Sequence, residues 1–288
     1  MSLVVYNTIT RQKEMFKPIN PPNVGMYVCG ITPYDETHLG HGRAYIAFDI
    51  IRRYLEYSGY KVNFIQNITD IDDKIIKKAN DQKKSIFEIA NQYSDSFFEV
   101  MDKLKVKRAV YYPKATEHIK EMIELTSELL SKGIAYQIGG DVYFDISKYS
   151  DYGKLSGRDI EDMQAGARVE VNEKKKNPLD FVLWKAAKEG EPFWDSPFGI
   201  GRPGWHTECV VMSKKYLGQP FDIHGGGADL VFPHHENEIA LAKCCGAEFV
   251  RYWLHNGFVT INKEKMSKSI GNFFAISEIF KEYDPMVV

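Results

Sequence analysis

The stretch VGMYVCGITPYDETHLGHGRAYIAFDIIRRYLEYSGYKVNFIQNI, residues 24–68, decides the fold. Val24 to Cys29 is a short apolar run that stops at Gly30 and reads as a buried strand. Pro33 and Gly40 punctuate the next segment. From His38 to Tyr57 apolar residues recur at helical spacing (Leu39, Tyr45, Phe48, Ile51, Leu55), and Ser58–Gly59 ends the helix. Lys61 to Ile68 alternates as a second strand. Strand, glycine-containing loop, long helix and strand form a βαβ unit, which predicts an α/β fold with a doubly wound parallel sheet.

Working outward, helices are predicted over Ser85–Leu104 and Thr116–Ser131, and a hairpin over Ala135–Ile146 turning at Gly139–Gly140. Tyr149 to Pro203 is rich in Gly, Pro and charge, Lys174–Lys176 included, and breaks the strand–helix rhythm. Alternation resumes with a helix near 205–217, a strand at Phe221–His224, a glycine loop at Gly225–Gly227 and a helix near 233–245. A strand around Tyr252–Ile261 and a polar loop at Asn262–Ser269 come next. The expected organisation is therefore a Rossmann-like nucleotide-binding domain in two halves, residues 1–115 and 196–260. An insertion occupies 116–195, and 261–288 holds the polar loop and the start of a further region.

The 288 residues carry a formal net charge of −2, with 44% hydrophobic and 26% charged residues, which excludes a disordered or collagen-like chain. No apolar run reaches the roughly 18–20 residues of a membrane span. Met1 to Thr10 lacks the charged and apolar segments of a signal peptide. Four cysteines, two of them adjacent at Cys244–Cys245, make no disulfide scaffold, so a reducing cytoplasm is expected. With 37 basic against 39 acidic residues, a bound polyanion must rely on local positive patches.

Three constellations carry chemistry. His38-Leu39-Gly40-His41 falls where a βα loop becomes a helix, a place where free N–H groups and imidazoles meet phosphate and a glycine admits a base or ribose. The same two histidines could serve only to cap and pack the helix start. Lys265-Met266-Ser267-Lys268-Ser269 places two lysines around a hydroxyl, able to neutralise charge on a triphosphate, or to form a solvated turn. His234 and Glu238 are four apart on a predicted helix and share a face. With Cys29 at the end of the first strand and Cys209 on the 205–217 helix, they make a reasonable zinc set. The plainer alternatives are a small buried cysteine and a helix-capping histidine.

The HLGH and KMSKS segments resemble the signature elements of class I aminoacyl-tRNA synthetases. Longer stretches narrow the likeness: MYVCGITPYDETHLGHGRAYIAFD (26–49), NITDIDDKI (67–75), GKLSGRDIEDMQAGARVEV (153–171), NPLDFVLWK (177–185), GRPGWHTEC (201–209), FDIHGGGADLVFPHHENEIA (221–240) and KMSKSIGNF (265–273). These resemble the cysteinyl-tRNA synthetase family nearly end to end. The resemblance implies ATP-dependent activation of L-cysteine to cysteinyl-adenylate, with Mg²⁺ entering with ATP, and transfer to tRNA(Cys). It implies one Zn²⁺ held by Cys29, Cys209, His234 and Glu238, and ATP contacts from His38, Gly40, His41, Lys265, Ser267 and Lys268. Of these, His38, His41, Lys265 and Lys268 would stabilise developing charge. Cys29, Thr69, Trp205, His206, His224, Asp229 and His235 would surround the substrate cysteine, whose thiolate the zinc would select over serine.

A monomer is the oligomeric state implied. The rival reading is a mycothiol-pathway cysteine ligase that passes activated cysteine to an amino sugar. A catalytically silent binding module is disfavoured by the intact motifs, and a dinucleotide oxidoreductase by the lack of G-x-G-x-x-G after the first strand. The sequence stops shortly after KMSKS, as expected of a catalytic portion without the anticodon-binding domain.

Overall fold

The computed structural model describes residues 3–158, 175–261, 264–266 and 274–288. A small antiparallel hairpin, β1 (Val4–Asn7) with β2 (Gln12–Met15), precedes the decisive unit. That unit is β3 (Asn23–Ile31), α1 (Leu39–Tyr57) and β4 (Lys61–Ile68). Helices α2 (Asp73–Gln82) and α3 (Ile86–Lys103) come after it, the second opened by a reciprocal Ser85–Glu88 capping box. After α4 (Ile119–Ser131) comes a second sheet of β5 (Ala135–Ile138), β6 (Asp141–Phe144), β7 (Phe181–Ala186) and β8 (Gly201–Pro203), paired antiparallel in that order. The chain then runs through α5 (Trp205–Leu217), β9 (Phe221–Gly227), a π-helical turn at Val231–His235, α6 (Glu236–Cys244) and β10 (Val250–Asn256). The short β11 (Thr260–Ile261) and β12 (Glu264–Lys265) pair with each other, and α7 (Ile276–Ile279) closes the described chain.

The main sheet is parallel throughout, in the order β10-β9-β3-β4. Successive β3 side chains point to opposite faces, so the strand feeds two cores. Val24, Met26 and Val28 pack with Phe48 and Leu55 of α1. Tyr27 and Cys29 pack with Cys209 and Val210 of α5 and with α6. The second sheet is tied to the main one by Asp73 at the start of α2, whose carboxylate takes Lys185 of β7 at 3.0 Å and Arg202 of β8.

Where the sequence predicts a glycine loop, Gly225–Gly227 are instead the last three residues of β9, paired with Leu254, His255 and Asn256. The reason is side-chain space. A Cβ on Gly225 would enter the Phe48 ring, and one on Gly226 would meet the His235 ring at 2.9 Å. These glycines are strand residues whose side-chain volume belongs to neighbours. Gly225→Ala should therefore lower stability by about 1–3 kcal/mol through overpacking, read from a urea midpoint at unchanged slope. The predicted strand at Tyr252–Ile261 divides at Asn256. Strands β7 and β8 lie in the Gly/Pro-rich stretch where the sequence predicts none, because β7 pairs with the distant β6 and β8 with β7, non-local pairings that leave no period in the sequence.

Candidate active site

In the main sheet, β3 leads through α1 to β4 on one side, while β9 leads through α6 to β10 on the other. The connections diverge at this point, leaving a crevice beyond the carboxyl ends of β3 and β9. A cavity of ≈ 320 Å³ fills it, walled by Cys29 and Gly30, by His38, Gly40 and His41, by Trp205, and by Gly227 and Asp229. Met266 closes one side.

His38 is the N-cap of α1, and its Nδ1 accepts from the His41 backbone N–H at 3.3 Å. The His41 Nδ1 accepts in return from the His38 N–H at 3.4 Å, and the two rings stack with centroids 3.6 Å apart. The two readings of HLGH are thus compatible: the histidines cap the helix and also line the cavity. Gly40 lines the cavity, and a Cβ there would meet the His38 ring at 2.9 Å. Its missing side chain is what lets the imidazole fold over the helix start. Phe274 to Ile276 pairs with Thr37 to Leu39 through Leu39 N–H to Phe274 O (3.2 Å) and Ile276 N–H to Thr37 O (2.9 Å). The segment after KMSKS therefore returns to HLGH. Lys265 is described only in its backbone, and Ser267 and Lys268 lie outside the described residues.

Beneath the cavity floor, thiols, imidazoles and a carboxylate converge in the buried interior. Cys29 Sγ lies 3.6 Å from Cys209 Sγ and 3.8 Å from Glu238 Oε1. His234 Nε2 lies 3.6 Å from Cys209 Sγ and 2.9 Å from Glu238 Oε1. Two overlapping groups have metal-holding geometry, Cys29-Cys209-His234-Glu238 and Cys29-His224-His235-Glu238. In the second, His224 Nε2 donates to Glu238 Oε2 at 2.7 Å, and His235 Nε2 stands 3.2 Å from Cys29 Sγ.

The electrostatics of the cluster are those of a charged set removed from water. Burial opposes ionisation of Glu238, but His224 and His234 overcome it and hold the carboxyl well below its usual range. Burial likewise pushes Cys209 up, and the Cys29 thiol and His234 reverse this to about 7. Cys29 is driven well up by burial and by the adjoining Cys209 and Glu238. Burial would lower His234, yet Glu238 and Cys209 raise it to about 10. His206, kept neutral by burial and by the charge on His234, has its Nδ1 3.0 Å from His234 Nδ1. This contact between the two Nδ1 atoms orients the His234 ring with Nε2 toward Cys209 and Glu238.

The profile of the class I (C) tRNA synthetase catalytic domain matches residues 15–288. The chain belongs to this family. It is 58% identical over 285 residues to the cysteine–tRNA ligase of Carboxydothermus hydrogenoformans, covering 99% of this chain and 61% of that protein. It is 59% identical over 287 residues to the cysteine–tRNA ligase of Pyrococcus furiosus, covering 99% and 60%. The chain thus spans about 60% of the length of these relatives. Among solved structures, methionyl-tRNA synthetase of Mycobacterium tuberculosis in complex with methionyl-adenylate superposes with a TM-score of 0.69 at 17% identity, over 91% of this chain and 62% of that one. That likeness shows the shared class I fold.

Within this synthetase fold the sequence-predicted residues do not all reach the cavity. Cys29, Trp205 and Asp229 line it. Trp205 stacks on His234 with centroids 3.8 Å apart. His224 and His235 are fully buried below the floor, and His206 lines a separate cleft of ≈ 740 Å³ facing the second sheet. Thr69 is 2% exposed, and its hydroxyl donates to Glu208 Oε2 at 2.6 Å. Sequence reasoning passes over His255, whose Nε2 meets His235 Nδ1 at 2.8 Å and whose Nδ1 meets Thr8 Oγ1 at 2.7 Å. The signal is there, since His255 comes two residues after Trp253, at strand period, and both rings face His235. It also passes over Asn67 and over Lys74, the only lysine or arginine among the described cavity-lining residues.

Proposed function

We infer that this chain carries the amino-acid-activating part of a cysteine–tRNA ligase: it joins L-cysteine to ATP as cysteinyl-adenylate and passes the cysteinyl group to tRNA(Cys). The observation that carries this reading is the Cys29-Cys209-His234-Glu238 group opening through Cys29 onto the HLGH cavity. The names of the relatives support it and give no support to an amino-sugar ligase. No described helix is long and apolar enough to cross a membrane. We place the protein in the cytoplasm, as a monomer, a reading that the free thiols of all four cysteines support for the compartment. The division into two catalytic halves around a 116–195 insertion belongs to the same reading.

Of the two possible metal groups, the one with both thiols fits zinc better. For Zn–S near 2.3 Å and Zn–N/O near 2.0–2.1 Å, a tetrahedral set has edges of about 3.3–3.8 Å. The observed 3.6, 3.6 and 3.8 Å edges to sulfur fall in that range, whereas His234 and Glu238 stand at 2.9 Å, in hydrogen-bond contact, and would have to part by a few tenths of an ångström around an ion; the preference for this group rests on its two thiols. The 2.7 Å between His224 and Glu238 is a hydrogen bond, which would orient the carboxylate. A bound Zn²⁺ would supply a soft Lewis acid that prefers a thiolate to a hydroxyl.

Adenylate formation needs no protein nucleophile. The cysteine carboxylate attacks the α-phosphate in line and pyrophosphate leaves. In this reading His38 and His41, fixed at the start of α1, donate to phosphate oxygens, and Lys265, Ser267 and Lys268 neutralise the charge that builds on the leaving group, beside Mg²⁺ brought in by ATP. Asp229 and Trp205 on the cavity wall would orient the amino acid, and the buried Thr69, His224 and His235, with the half-buried His206, would hold the walls behind it. The terminal 2′-hydroxyl of tRNA then takes the cysteinyl group and AMP departs. The test is ATP–pyrophosphate exchange with cysteine and with serine, where a preference of roughly 10⁴–10⁵ for cysteine is expected. Equal exchange with serine, or none with cysteine, would sink the reading. Charging of tRNA(Cys) is measured in parallel.

A further inference from the structure

We propose that Asn67 is a positioning residue that clips a β-bulge at Cys29–Gly30 and so fixes the spacing of the two thiols; the inference rests on the metal reading above. The β3–β4 register pairs Val28 with Gln66 and then Ile31 with Ile68. Cys29 and Gly30 therefore stand against the single residue Asn67, a two-against-one bulge in a parallel ladder. Its consequence is visible in the cores. Val28 and Ile31, three apart, pack in the same core, while Cys29 packs in the opposite one with Tyr27. Alternation puts Cys29 on the α5 side with Tyr27, and the bulge returns Ile31 to the Val28 core, so the register shift falls right beside the thiol.

A bulge frees backbone groups that need partners in a buried site. The freed Gly30 N–H donates to Asn67 Oδ1 at 2.9 Å, and Asn67 is 2% exposed. The other end of the same amide reaches the second thiol's helix. Asn67 Nδ2 donates to Thr69 Oγ1 at 3.2 Å, and Thr69 donates to Glu208, the residue before Cys209. Asn67 Oδ1 itself lies 3.8 Å from Cys209 Sγ. A Cβ on Gly30 would fall on the Asn67 backbone carbonyl, so the two strands touch at this point and a short side chain can close the clip. One planar amide thus spans from the strand bearing Cys29 to the helix bearing Cys209.

The test is Co²⁺ titration of the whole chain, following the thiolate-to-cobalt charge-transfer band and the dissociation constant, with melting temperatures measured without metal. Asn67→Ala is expected to weaken Co²⁺ binding by about 10–100-fold and to reduce the band toward that of one thiolate. Asn67→Asp keeps an acceptor for the Gly30 N–H but loses the Nδ2 donor to Thr69 and buries a carboxylate beside Cys209 Sγ, so it is expected to reduce the two-thiolate band as well. Should Asn67→Ala not fold, Asn67→Gln, which moves the amide by one methylene, is expected to show the same loss. A two-thiolate band with unchanged affinity in Asn67→Ala, Asn67→Gln or Asn67→Asp would overturn the proposal. An unsubstituted chain with no thiolate–cobalt band would overturn the metal reading, a result distinct from either.

Discussion

Cys209→Ser is expected to abolish zinc binding and cysteine activation together. Cys209 sits at 0% exposure on α5, with its sulfur 3.6 Å from both Cys29 Sγ and His234 Nε2. The Cys29 thiol and His234 bring the Cys209 thiol down to about 7 against the opposing effect of burial, which favours the thiolate that a metal binds. A serine hydroxyl in that place stays neutral and is a far poorer ligand. The buried Glu238 and His234 would then keep each other, leaving Cys29 as the only sulfur of the group. The expected result is zinc content below a tenth of the unsubstituted chain, with cysteine-dependent pyrophosphate exchange down by roughly 10⁴, the scale at which a dedicated contact separates thiol from hydroxyl. Loss of metal also removes stabilisation, because binding to the folded state is linked to folding. Heating curves with and without a chelator should therefore coincide for Cys209→Ser and differ for the parent. Full exchange activity in a zinc-free Cys209→Ser protein would show that the thiol pair has no part in choosing the substrate.

How much of the fold and the site is legible in the sequence depends on which interactions are local. The βαβ unit can be read because each of its elements announces itself within a few residues: the apolar run at Val24–Cys29, the helical period through Leu55, the alternation over Lys61–Ile68. The observed ranges, Asn23–Ile31, Leu39–Tyr57 and Lys61–Ile68, stay within a residue or two of those bounds. His234 and Glu238 can be paired because four residues on a helix make one face. Their meeting with Cys29 and Cys209 depends on the order β10-β9-β3-β4, which local pattern suggests only in outline. The bulge at Cys29–Gly30 is invisible, since it exists only as a mismatch between two strands thirty-odd residues apart in the chain. The glycine triplet misleads for a related reason. Glycine is the usual mark of a loop, and here it marks space taken by Phe48 and His235 from elsewhere in the chain.

His38→Asn separates the two duties that HLGH performs at once. As N-cap, the His38 side chain accepts from the His41 N–H and takes part in a reciprocal box, an arrangement worth about 1 kcal/mol to the helix. As a cavity-wall imidazole it is proposed to donate to phosphate oxygens as charge shifts toward the leaving group, and loss of one such donor costs about 10²–10³ in rate, or ~2.7–4 kcal/mol. Asparagine is among the best N-cap residues, so His38→Asn should keep its unfolding midpoint close to that of the parent, whereas His38→Ala should lose about 1 kcal/mol. If the imidazole acts on the phosphates, both variants should fall by about 10²–10³ in the rate of pyrophosphate exchange, despite their different stabilities. The Michaelis constant for cysteine should stay unchanged in both, because His38 is assigned to the ATP phosphates and not to the thiol cluster. Single-turnover adenylate formation is the cleaner readout, since it isolates the chemical step from product release. Near-parental rates in His38→Asn would mean that the ring is only a cap, and the phosphate role would then rest on His41 and the KMSKS lysines. The decision turns on magnitude: a cap accounts for about 1 kcal/mol, and the larger loss requires contact with the reacting phosphates.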